Sequence, residues 1–188
     1  MYDNITQMVY TIGRNNGRFI EMLGTGYLIA EGKYVVVPRH VVGDNDDGLG
    51  VILPSITSFN EYQDTTVHSC RFLNMLIKYS DPFRDIAILE FKDGQQKVHT
   101  LVGGIDDISV GEDILIFGFP HCVEGRRVLT MQKAMVGAKV LLNSSGVKSN
   151  YCVINTQTRP GQSGSMIYSA KCNKIVGVLI GAFVSSEE

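Results

Sequence analysis
Short runs rich in Val, Ile, Tyr and Phe, cut apart by Gly, Asn and Asp clusters, constrain this chain more than any other feature. "ITQMVYTI", "RFIEML", "GYLIA", "KYVVVP", "GVILP", "DIAILEF", "DILIFGF", "SNYCVIN", "SMIYS" and "KIVGVLIGAF" all read as strands, because β-branched and aromatic side chains suit a pleated, half-buried surface. Helical periodicity is nearly absent. The expected fold is therefore all-β, a sandwich or barrel rather than alternating βα units. The polar segment "KDGQQKVHTLVGGIDD" at residues 92–107 is the natural connection between two halves of about six strands each. Residues 1–98 and 99–188 are the expected units. "GDNDDG" at 43–48 is a charged loop, and "LLNSSGVKSN" at 141–150 is a hairpin tip or flexible loop.

The 188 residues suit one large domain or two small ones sharing an interface, and a 44% hydrophobic content is enough for a sizeable core. The net charge of -2, with a sequence pI of 6.1 and signs mixed along the chain, offers no basic stripe for nucleic acid and no basic amphipathic face for a membrane. No basic segment leads into a long apolar core at the N-terminus, and no long membrane-spanning run occurs, so a soluble, cytoplasmic protein is expected. Cys70, Cys122, Cys152 and Cys172 show no C-x-x-C spacing. They read as reduced thiols, and neither a metal nor an organic cofactor is expected. The end at "SSEE", soon after the last apolar run, fits a domain excised from a longer chain.

Chemistry is suggested first by "RPGQSGS" at residues 159–165. Two glycines flank Ser163, and a proline precedes them, directly before an apolar strand. The glycines open backbone conformations closed to other residues, and Pro160 fixes one dihedral. Such a turn either presents a nucleophile or is a plain surface turn. A serine hydroxyl needs a base to take its proton, and that base needs a partner to set its tautomer. Of the histidines His40, His68, His99 and His121, only His40 follows a buried-looking strand abruptly, in "GKYVVVPRHVVG". It is either structural or the base. "SDPFRDIAILEF" offers two carboxylates. Asp85 directly precedes the apolar "IAIL", where a side chain can be half buried against an imidazole. Asp81 lies in a Pro-containing turn and reads as a solvated or capping residue. The chain order His40, Asp85, Ser163 is that of the chymotrypsin group, and no G-x-S-x-G elbow is present because residue 165 is a serine.

Taken in order, these pieces resemble a trypsin-like serine peptidase, in the style of HtrA-type and other compact bacterial members. "GTGYLIAEGKYVVVPRHVV" resembles that family's run into its histidine, "DPFRDIAILEF" its D-x-A-x-L strand start, "FGFP" a turn in its second barrel, and "PGQSGSMIYSAKCNKIVGVLIGAF" its P-G-x-S-G loop and following hairpin. The resemblance implies two six-stranded antiparallel β-barrels, with His40 and Asp85 on the first and Ser163 on the second. It implies an oxyanion hole made by the amides of Gly161 and Ser163. It also implies a pocket for the residue before the cleaved bond, lined by Gln157, Thr158, Leu179, Ile180 and Gly181. No acid stands at those positions, so an uncharged, small-to-medium apolar residue is expected there.

"TRPGQSGS" also resembles the T-R-x-G-Q-C-G run of picornavirus-type main proteases, although position 163 is serine and Leu179 stands where those enzymes usually keep a histidine. The expected partners are a protein or peptide substrate, bound as an added strand, and a regulatory domain or ordering of the loop around residues 141–162. The rival from another class is a peptide-binding module that does not cut.

Overall fold
In the computed structural model, residues 1–94 and 96–181 are described. After a short 3-10 helix at Asp3–Gln7, strands β1 (Val9–Asn15), β2 (Ile20–Ile29) and β3 (Tyr34–Pro38) lead into the single-turn helix α1 (Arg39–Val42). Strands β4 (Leu49–Ile52), β5 (Phe72–Asp81) and β6 (Ile86–Phe91) complete the first half. They close an antiparallel barrel in the order β1-β2-β3-β6-β5-β4. The second half holds β7 (Asp113–Gly118), β8 (Thr130–Ser144), β9 (Val147–Ile154), β10 (Met166–Ser169) and β11 (Lys174–Val178). These form a curled sheet in the order β11-β10-β7-β8-β9. The all-β, chymotrypsin-like architecture expected from the sequence is what is found. Among the described residues the second half has five strands rather than six, and β9 and β11 are its two edges.

The unbroken apolar runs are explained by three cores and the two-residue period of a strand. Val35 and Val37 point into the first barrel, while Val36 between them faces the seam. Ile114 and Ile116 fill the second sheet, and Phe117 turns to the seam. The pairs Ile167/Met166 and Val176/Ile175 divide in the same way. The seam core joins Ile5, Met8, Val9 and Tyr27 of the first half to Phe119, Cys122 and Leu129 of the second. Both faces of these strands are buried, so no polar alternation appears in the sequence.

Several sequence-level expectations shift. The start of "ITQMVYTI" is the 3-10 turn rather than strand. The 141–150 segment is the tip of the long β8–β9 hairpin, turning at Ser145 and Gly146. Most of the expected control loop at 141–162 is therefore strand, and irregular chain begins only after Ile154. The connection after β6 is mostly irregular and rejoins the second half where Val102 bridges Ile175. The end of the "KIVGVLIGAF" run, from residue 182 on, lies outside the described residues.

Candidate active site
Pro38 ends β3 and begins α1, because its ring suits the position just before a helix and disfavours continuation of a ladder. His40 is thereby lifted onto one helical turn at the end of a buried strand. Asp85, the residue before β6, reaches the same turn. Its carbonyl accepts from Arg39 N–H at 2.9 Å, its Oδ1 accepts from His40 N–H at 2.8 Å, and its Oδ2 meets His40 Nδ1. The backbone of Asp85 is left-handed, with φ 56°. Aspartate tolerates that region better than most residues. With Nδ1 engaged, Nε2 is the ring nitrogen without a hydrogen-bond partner among the described residues.

Asp81, four residues earlier, has a different task. It accepts from the amides of Phe83 and Arg84 and pairs with the Arg84 guanidinium at 3.0 Å. Burial alone would raise its carboxyl, but the Arg84 and backbone hydrogen bonds outweigh it and hold the carboxyl below its usual range. It caps the turn, as expected, but is buried rather than solvated. The other histidine rings are engaged elsewhere: His68 is exposed in a loop, His99 faces Glu31, and the His121 ring pairs with Glu124, although the His121 amide bonds the Pro160 carbonyl ahead of Ser163.

Ser163 lies in the turn before β10. Gly161 and Gly164 have φ of 91° and 94°. A Cβ on Gly164 would run into the Thr25 carbonyl, and one on Gly161 into Cys122 Sγ and the Phe119 carbonyl. Glycine is therefore required at both positions on two counts. The Ser163 carbonyl accepts from Thr25 N–H at 2.9 Å, next to Gly24, which is itself packed against Val41 of α1. The serine turn and the histidine turn thus flank the same stretch of β2. The Ser163 hydroxyl donates to the Ile180 carbonyl at 3.1 Å. Among the described residues the amides of Gly161 and Ser163 donate to nothing, whereas those of Gln162, Gly164 and Ser165 are all bonded. The thiol beside this turn, Cys122, is fully buried, and burial pushes it up to about 12. It is no substitute nucleophile.

A groove with a cavity volume of 1220 Å³ opens between β9 and β11 beside this turn. Gln157, Thr158, Leu179, Ile180 and Gly181 all line it, together with Tyr151 and Ile154. Arg84, Lys148 and Arg159 contribute the cations of its lining, which among the described residues includes no carboxylate. Sequence reasoning missed one residue here, Thr25, which grips the turn. Ile180 lines the groove as expected, but its main-chain carbonyl also receives the serine hydroxyl, a contact that leaves no mark on residue type.

A trypsin-like peptidase domain family model matches residues 24–178. The chain belongs to the trypsin-like peptidase domain family. A curated relative from Pseudomonas putida, "Probable periplasmic serine endoprotease DegP-like", is 27% identical over 173 residues, covering 90% of this chain and 31% of the relative. The peptidase chain thus spans about a third of the length of that relative. Among solved structures, the MamO protease domain from Magnetospirillum magneticum superposes with a TM-score of 0.73 at 16% identity, covering 100% of this chain and 91% of the other. The HtrA-type protease AlgW with a decapeptide gives 0.70 at 18% identity, covering 98% and 59%. Both show the shared fold. The cytoplasmic location expected above is corrected by the relatives, which are named periplasmic. A leader peptide is removed from mature chains and unpaired cysteines occur on either side of a membrane, so neither signal decides the compartment.

Proposed function
We propose that this peptidase hydrolyses peptide bonds of protein substrates through an acyl-enzyme, with Ser163 as nucleophile, His40 as general base and then acid, and Asp85 as the group that orients the imidazole. The observation that carries this reading is the double grip of Asp85 on His40, through ring nitrogen and main-chain amide together. A carboxylate on Nδ1 fixes the tautomer in which Nε2 is the base, and it stabilises the imidazolium formed when the serine proton is taken. The Ser163 hydroxyl must turn from the Ile180 carbonyl toward His40 before it attacks. The free amides of Gly161 and Ser163 are the donors that would receive the developing oxyanion, each worth roughly 3 to 4 kcal/mol in comparable sites.

The groove is the proposed site for the substrate strand. Leu179 and Ile180 favour an uncharged, small-to-medium apolar residue before the cleaved bond, and the absence of a carboxylate from the lining among the described residues disfavours Arg or Lys there. Division into units at residues 98 and 99, control by a further domain or partner, and action outside the cytosol, as for the relatives named periplasmic, belong to the same proposal.

The test is covalent labelling by a fluorophosphonate probe. Wild type should label at Ser163 and Ser163→Ala should not, with mass spectrometry locating the adduct. A well-folded wild-type chain that binds peptides yet never labels would instead favour the non-cutting binding module.

A further inference from the structure
Thr25 is fully buried on β2, in the first half of the molecule, yet its hydrogen bonds run to the second half. Its Oγ1 donates to the Gly161 carbonyl at 2.9 Å and accepts from the Phe119 amide at 3.1 Å. Its own amide donates to the Ser163 carbonyl at 2.9 Å. The paired residue on β1, Thr11, is equally buried, and its Oγ1 has no partner. Two threonines therefore share a register position, and only one of the hydroxyls is engaged across the seam.

The consequence follows from peptide planarity. Each carbonyl moves rigidly with the N–H of the next residue. His121 N–H holds the Pro160 carbonyl, and with it the plane carrying Gly161 N–H. The amide and hydroxyl of Ser165 hold the Gln162 carbonyl, and with it the plane carrying Ser163 N–H. The plane between those two, from Gly161 to Gln162, joins a glycine at φ 91° to Gln162, whose N–H donates to the Arg159 carbonyl at 3.1 Å. The Gly161 carbonyl of this plane accepts from the Thr25 hydroxyl at 2.9 Å and, more weakly, from the buried Cys122 thiol at 3.7 Å. Only a group that donates and accepts at once satisfies both Gly161 C=O and Phe119 N–H, which a hydroxyl does and a methyl does not.

We propose that Thr25 is a positioning residue whose hydroxyl locks the 161–162 peptide plane and so keeps the Gly161 and Ser163 amides aimed at one point. Its catalytic consequence rests on the peptidase reading above; its hold on the turn does not. Small displacements of such a turn cost up to about a hundredfold in rate.

The experiment compares wild type, Thr25→Val and Thr25→Ser by steady-state peptide hydrolysis and by amide hydrogen exchange over residues 159–165. Thr25→Val should lower kcat at least about tenfold while KM stays within about twofold, and it should speed exchange in that segment. Thr25→Ser should restore both. Wild-type kcat and exchange in folded Thr25→Val would overturn the proposal, as would a Thr25→Ser variant as impaired as Thr25→Val. If Thr25→Val does not fold, Thr25→Ala against Thr25→Ser makes the same comparison. A wild type without turnover, whose exchange still responds to Thr25→Val and recovers in Thr25→Ser, would remove the peptidase reading while the hold of Thr25 on the turn stands.

Discussion
Asp81 and Asp85 lie in one turn, four residues apart, and do unlike work because of what surrounds them. Asp81 is closed in by two amides and a guanidinium, and Asp85 reaches across to a histidine on another element. The Asp81 carboxyl titrates lower in the folded chain than the 3.8 of a free carboxyl. Its stabilising effect is therefore complete above that value and is lost as pH falls through the lower folded one. Asp81→Asn should melt at a lower temperature than wild type at neutral pH, with the gap narrowing once pH drops below about 3.8. Melting curves of both proteins from pH 7 to pH 2.5 give the comparison, and a gap that is constant with pH would show that the charge of Asp81 is not what stabilises the turn. The two aspartates could be told apart in the sequence only by context: Asp85 directly before an apolar strand, Asp81 beside a proline. Thr25 was not legible at all. In "GTGYLIA" it looks like any strand threonine, and its partners are 94 and 136 residues away in the chain.

At the scale of elements, the nucleophile turn is held by what glycine lacks. Gly164 at φ 94° presses its missing side chain against the Thr25 carbonyl, and Gly118 does the same against Ser165. Gly164→Ala combines left-handed strain with a backbone clash that no rotamer relieves. A loss of about 3 kcal/mol is expected, read as a fall of about 10 °C in melting temperature for a chain of this size. A melting temperature within 2 °C of wild type, measured by differential scanning calorimetry, would count against this packing. Strand existence was legible from β-branched runs, and the β10–β11 hairpin was visible in "SMIYS" and "KIVGV". Strand ends were not. The "ITQM" segment has strand-like residues but forms a 3-10 turn, because Ile5 and Met8 bury in the seam rather than along a ladder.

For the whole molecule, the seam core is the decisive feature. It fuses two halves whose own cores are separate, and the candidate catalytic groups gather where loops from both halves meet over β2. Continuous apolar runs concealed that division in the sequence, since a strand buried against both its own half and the seam has no polar face. In the groove between β9 and β11, Lys148 and Arg159 add positive charge, and among the described residues no carboxylate lines it. A substrate Arg or Lys would enter a lining of like charge without a partner, so cleavage sites mapped on a proteome-derived peptide library should be depleted of both before the cut. Placing a carboxylate at the lining should change this. In Thr158→Asp a charge-assisted hydrogen bond to a substrate cation, worth roughly 1.5 to 3 kcal/mol in favourable geometry, corresponds to about a ten- to hundredfold gain in kcat/KM for Lys or Arg over the wild-type value. Arg159, next in the chain, would neutralise part of that charge, so the gain should approach its full size only in the double variant Thr158→Asp/Arg159→Gln. A library profile unchanged by both variants would mean that the residue before the cut does not sit against this stretch of the groove.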